Sequence, residues 1–225
     1  MRRIAFVGDS YMRHTFQAFL LVLSTDYEYG TMDASGRSKP ECAGEGQFEE
    51  KQCRMHLPHT AEMCGGAVSL NLTYTAWPRL TDVYANFDVV FYSAGNHALA
   101  SDGSRYGLLN ASAVQREIFV PLCVTQRPAW LTNPGTRPKV YWLTLHARLL
   151  ARFNDEAQAL IQKYNFEISQ IVDKLCGFPI IDFFTFTDTL IRQLPGEAEN
   201  MTWDGMHWSR SVNLIKAQAL LRTIS

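Results

Sequence analysis

The chain has 225 residues, 47% of them hydrophobic and 12% aromatic, which is enough to bury one sizeable core and fits a single domain over 1–225. A formal net charge of −1 with no basic run gives no electrostatic footing for nucleic acid or an anionic membrane surface, and favours a polar or neutral substrate. No stretch approaches the roughly 18 consecutive apolar residues of a bilayer span, so no membrane segment is expected.

Met1-Arg2-Arg3 followed by IAFV would open a signal peptide, but Gly8, Asp9 and Ser10 interrupt the apolar run too early. Ile4 to Val7 therefore reads as a strand, followed by a helical pattern around Thr15 to Leu23. Residues 36–66 form a Gly- and Glu-rich insertion carrying Cys42, Cys53 and Cys64. Val68 to Ala76 alternates apolar and polar side chains, the period of a strand with one wet face, at or near a sheet edge. Three short apolar runs, Phe87–Tyr92, Val140–Leu145 and Phe178–Phe184, read as central parallel strands.

Asp155 to Leu175 gives the strongest helix. Ala157, Leu160, Ile161, Tyr164, Ile168, Ile171, Val172 and Leu175 fall on one stripe, with Asn154 as cap and Gly177 as stop. A last helix follows Ser209, with Val212, Ile215, Ala219 and Leu220 inward. Strands alternating with helices predict an open α/β sheet with a mainly parallel order.

In such a sheet, functional groups gather at the carboxyl ends of strands. Ser10 sits at a strand-to-helix junction, the position of a nucleophile, although Gly-Asp-Ser also suits a plain turn and cap. Asp204 and His207, three residues apart on a loop, can act as a base and its orienter, or simply form a polar helix entrance. After the strand FDVVFY, Gly95 permits a tight turn and Asn96 can donate an amide N–H to an oxyanion.

Together, Gly8-Asp9-Ser10, Gly95-Asn96 and Asp204-Gly205-Met206-His207 resemble the blocks of the SGNH (GDSL-type) hydrolase superfamily. GDSYMR, with Arg13, and WDGMHWS are similar to the PC-esterase group within it. That group includes trichome-birefringence-like polysaccharide O-acetyltransferases and the luminal domain of the Cas1-type sialate O-acetyltransferase. The resemblance implies a three-layer α/β/α fold and serine chemistry without a metal or organic cofactor. It makes Ser10, Asp204 and His207 catalytic, with Ser10, Gly95, Asn96 and Arg13 at the oxyanion. Asp9, His97, Trp203 and Trp208 would face substrate, and Trp77 would join the aromatic lining.

Two departures stand out. The strand ending at Ala76 is followed by Trp77-Pro78-Arg79 without the glycine of the superfamily's second block, and the third block reads Gly-Asn-His without a following Asp. The implied reaction is O-acetyl ester hydrolysis or transfer on a glycan, with an acetyl donor in the second case. A lipid or thioester hydrolase and a non-catalytic glycan-binding domain are the alternatives.

The pattern C-x10-C-x2-H-x2-H-x4-C, formed by the insertion cysteines with His56 and His59, matches no tight zinc knuckle, and disulfide stapling is favoured. Sequons at Asn71, Asn110 and Asn200 exceed the about one that composition alone would give. Both features lean towards a secretory or Golgi lumen, the chain then being a trimmed domain, with a cytosolic protein as the other reading. His146, at a strand terminus, suits either substrate contact or a structural role.

Overall fold

The computed structural model describes residues 1–75, 79–94, 110–132, 138–149, 155–202 and 204–225. Six strands form one sheet: β1 (Arg2–Gly8), β2 (Thr60–Met63), β3 (Val68–Tyr74), β4 (Val89–Tyr92), β5 (Lys139–Leu143) and β6 (Ile180–Ile181). Their spatial order is β2-β3-β1-β4-β5-β6, parallel throughout except for the β2–β3 hairpin. The helices are α1 (Ser10–Ser24), α2 (Gly46–Glu49), α3 (Ala111–Val114), α4 (Ala129–Thr132), α5 (Asp155–Cys176), α6 (Phe183–Gln193), α7 (Pro195–Ala198) and α8 (Arg210–Ile224). After α3 the chain continues in π-helical turns to Thr125.

Strand alternation explains the layers. Ile4, Phe6, Phe91, Tyr141 and Leu143 point to one face, where they pack with Phe16 and Phe19 of α1 and Leu220 of α8. Ala5, Val7, Val90, Tyr92, Val140 and Trp142 point to the other, against Ile161, Tyr164, Ile168 and Val172 of α5. Both faces are covered, so β1 and β4 need apolar residues on either side, as parallel strands do. The result is a mainly parallel α/β/α fold.

Several expectations change in detail. Phe178 to Phe184 is not one strand: only Ile180–Ile181 pair with β5, at the sheet edge, and Asp182 accepts from the Thr185 N–H to start α6. The alternating strand lies one in from the edge, because residues 60–63 of the insertion supply β2 as a cover. In α8 the buried stripe is Val212, Asn213, Lys216, Ala217, Leu220 and Ile224, whereas Ile215 and Ala219 point outward. Two polar residues inside rotate that helix away from its apolar pattern. Gly177 ends α5 in the left-handed region, φ 66°, and donates to Val172 and Asp173 carbonyls. Asn154 lies outside the described residues.

Two disulfides tie the described chain, Cys42–Cys53 within the insertion and Cys123–Cys176 between the π-helical segment and the end of α5. Cys64 is free and exposed on the β2–β3 turn. His56 meets Asp33, and the stapling favoured for the insertion is the Cys42–Cys53 pair. Asn71 is half-buried on β3, Asn110 is exposed and caps α3 through the Ala113 N–H, and Asn200 is exposed. No helix among the described residues is long and apolar enough to cross a membrane.

Candidate active site

Strand β1 delivers Ser10 to the carboxyl edge of the sheet. Gly8 stands so close to its neighbours that a Cβ would lie 2.5 Å from Met12 Cγ and 2.6 Å from the Ser93 carbonyl, so only glycine fits. Asp9 then caps α1, its carboxylate accepting from the Tyr11 N–H at 3.1 Å. Ser10 opens the helix, where the first N–H groups have no intrahelical partner and the dipole is positive.

Asp204 and His207 come from the far end of the sequence, on a loop that leads into α8. Asp204 Oδ1 accepts from the N–H groups of Met206 at 2.8 Å and His207 at 2.7 Å, and Gly205 takes a left-handed turn, φ 79°. The loop is hung on the segment after β5: Leu149 N–H donates to the Gly205 carbonyl at 2.9 Å and Trp208 Nε1 to the Ala147 carbonyl at 3.2 Å.

These supports bring three side chains into line. Asp204 Oδ2 lies 2.6 Å from His207 Nδ1, and His207 Nε2 lies 3.0 Å from Ser10 Oγ. Burial alone would raise the Asp204 carboxyl, but hydrogen bonds from the His207 ring and from the His207 and Met206 N–H groups outweigh it and hold it at about 2. Ionised near neutral pH, Asp204 favours the Nδ1–H tautomer of His207, in which Nε2 is an acceptor facing the Ser10 hydroxyl.

Around this line lies a set of buried bases. His14 packs 5.1 Å from the His207 ring and receives Arg13 Nη2 at 2.6 Å on its Nε2. Burial first, then the charge of Arg13, keeps His14 well below its ordinary value, so it accepts as a neutral ring. Burial and then the charge of Arg54 lower Arg13 to about 10, still cationic near neutral pH. Tyr11 meets His207 edge-on at 5.8 Å and stacks on His146 at 4.4 Å. Burial pushes its phenol up to about 12.

The expected site residues divide accordingly. Ser10, Asp204, His207 and Arg13 are gathered at one place. Gly95, Asn96, His97, Trp77 and Trp203 lie outside the described residues, although Tyr164 Oη donates to the Ala94 carbonyl at 2.8 Å and so fixes the strand end that leads to them. Trp208 is a correction: at 1% exposure and bonded through its indole N–H, it is core and presents no face to substrate. Asp9 is likewise buried and engaged as the helix cap. His146 is a packing residue between Tyr11 and Lys216. Sequence reasoning missed Tyr11 and His14, whose signal was their position one and four residues after Ser10. Among the described residues no group of three or more His, Cys, Asp or Glu is placed to hold a metal.

No family model matches the chain and no curated protein matches it. Among solved structures it is similar to an acetyl xylan esterase, at 16% identity and TM-score 0.56 over all of both chains. It is also similar to a lipase/acylhydrolase from Enterococcus faecalis, at 14% identity and TM-score 0.52 over all of this chain and 95% of that one. A third is an alpha/beta hydrolase enzyme from the metagenome of Lake Arreo, Spain, at 12% identity and TM-score 0.54, covering 98% and 94%. At these identities the likeness is one of fold, and the chain shares the architecture on which those hydrolases are built.

Proposed function

We propose that this chain is a serine O-acetyl esterase or O-acetyltransferase acting on acetylated carbohydrate. The observation that carries the reading is the continuous line from Asp204 through His207 to Ser10 Oγ, at 2.6 Å and 3.0 Å, on a strand-to-helix junction. Ser10 attacks the acetyl carbonyl while His207 Nε2 takes its proton. The tetrahedral intermediate expels the sugar alkoxide, which His207 protonates, leaving an acetyl-serine. Water or a sugar hydroxyl, deprotonated by the same His207, then releases the acetyl group.

The oxyanion is stabilised by the Ser10 N–H and the Asn96 amide, with Arg13 as a fixed positive charge one helical turn away. The carbohydrate half of the reading rests on the likeness of GDSYMR and WDGMHWS to the PC-esterase group. It agrees with the acetyl xylan esterase among the similar structures. Two disulfides support an oxidising compartment, and with the sequons they favour the secretory lumen. No metal or organic cofactor enters the scheme.

The test is Ser10→Ala. The variant should fold normally, because a hydroxyl at this junction contributes little to packing, and should lose turnover of p-nitrophenyl acetate. A folded Ser10→Ala protein with full activity would defeat the proposal. Incubation with an acetyl donor and sugar acceptors, followed by mass spectrometry, separates transfer from hydrolysis. A preference for long-chain acyl esters would promote the lipase reading.

A further inference from the structure

Tyr74 closes β3 directly opposite Gly8 of β1, and the next N–H, that of Thr75, donates to the Gly8 carbonyl at 2.8 Å. Neighbouring strands lie about 4.8 Å apart, so the root of Tyr74 is one strand spacing from a residue two positions before Ser10. On the same face of β3, Leu70 and Leu72 are fully or nearly buried, and the alternation would bury the next side chain as well. Tyr74 instead stays 48% exposed.

One flank of its ring is occupied. The Arg13 guanidinium lies over Tyr74, 5.8 Å from the ring centroid, and Arg13 is itself buried and held by His14. The aromatic is therefore pinned by a buried cation while much of its surface faces water. Isolated exposed apolar residues are ordinary, and Tyr27, Met55 and Phe166 are of that kind. Among the described residues, Tyr74 is the exposed large aromatic whose backbone pairs with the strand that carries Ser10.

We propose that Tyr74 is the platform against which a sugar ring of the acyl-bearing substrate packs, making it a specificity-determining residue for carbohydrate esters. A pyranose presents a face of C–H groups that complements the negative face of an aromatic ring, and a ring already fixed by Arg13 loses little freedom on binding. Tyr74 touches no reacting atom. This inference rests on the serine-esterase reading and extends it to the group that bears the ester.

The experiment compares wild type, Tyr74→Ala and Tyr74→Phe on p-nitrophenyl acetate and on acetylated xylo-oligosaccharides. In Tyr74→Ala, kcat/KM on the oligosaccharide should fall about ten-fold, mostly through KM, the size expected for loss of one ring contact. Turnover of p-nitrophenyl acetate, which carries no sugar, should fall several-fold less than that of the oligosaccharide, since both reactions share the Arg13 contact but only one uses the platform, and Tyr74→Phe, which keeps the ring, should retain the oligosaccharide activity. Equal losses on both substrates, no loss on either, or a Tyr74→Phe variant as poor as Tyr74→Ala would overturn the platform. A wild type that cleaves p-nitrophenyl acetate through Ser10 but no acetylated sugar would also overturn it, while leaving the serine chemistry standing. Activity surviving in Ser10→Ala would instead remove the reading beneath it.

Discussion

The amino group of Lys216 stands 3.1 Å from Nε2 and 3.5 Å from Nδ1 of His146. The amine also lies over the Phe183 ring, 5.6 Å from its centroid. Both residues are buried, and among the described residues neither has a carboxylate partner. Burial pushes Lys216 well below its ordinary range, and burial followed by the Lys216 charge does the same to His146.

The sign of the pH dependence follows. The unfolded chain protonates these groups and His14 below their ordinary values, whereas the folded protein resists, so the unfolded state binds more protons as pH falls. Stability should therefore drop as pH falls below about 6.5 for the two histidines, with the Lys216 part already lost progressively below about 10.5. The melting temperature should rise from pH 5 to pH 8. Lys216→Met, which removes the cost of burying an amine, should raise it near neutral pH by about 2–4 °C for each kcal/mol regained. A Met variant that melts lower than wild type would contradict this account.

Asp204→Asn keeps an Oδ1 acceptor for the Met206 and His207 N–H groups, so the turn should survive. What it loses is the ionised partner of His207 Nδ1. Turnover of p-nitrophenyl acetate should fall about 10⁴-fold with only a small change in melting temperature. In wild type, the carboxylate's own contribution to stability should be present above its ordinary range and disappear as pH falls through about 2. Acid titration of the native fold, followed by circular dichroism for wild type and variant, checks this.

Gly8→Ala places a methyl group 2.6 Å from a backbone carbonyl that sheet pairing holds in place, Ser93 N–H donating to the Val7 carbonyl at 3.1 Å. The clash cannot be relieved by turning a side chain alone. The variant should lose about 2–3 kcal/mol in urea unfolding and most of its esterase activity, because the step from β1 to Ser10 must shift.

Non-reducing peptide maps should recover Cys42 linked to Cys53 and Cys123 linked to Cys176, with Cys64 alkylated. Loop-closure entropy makes the second pair, 53 residues apart, worth about 4 kcal/mol, and the first, 11 apart, about 3. Replacing Cys123 and Cys176 by serine should therefore destabilise more than replacing Cys42 and Cys53. The reverse order would mean that the insertion carries more of the fold than its size suggests.

Much of this arrangement could be read from local patterns. Gly8-Asp9-Ser10 stands where a buried strand meets a helix, and the three-residue spacing of Asp204 and His207 is what lets one carboxylate serve both the turn and the ring. The legible part ends where the determinant is long-range. Nothing near Phe178 announces that Asp182 will cap a helix and cut the strand short. Trp208 reads as an exposed aromatic beside a histidine, and only the Ala147 carbonyl, delivered by β5, makes it core. The inward turn of Lys216 depends on His146 and Phe183, which come from two other elements. Tyr74 follows the same alternation as Leu72, and its exposure reflects what the rest of the fold leaves uncovered.

Ser10 and His207 are 197 positions apart, and the loop that carries His207 is fastened to the segment after β5. During synthesis Ser10 leaves the ribosome long before His207, the imidazole that would deprotonate it in the proposed mechanism. On that mechanism a nascent chain would carry an inert alcohol, unable to acylate itself on passing esters until α8 has docked beside α1. Onset of turnover would then be a late event in maturation, and a colorimetric ester would report completed folding more stringently than circular dichroism, which responds as soon as the helices form.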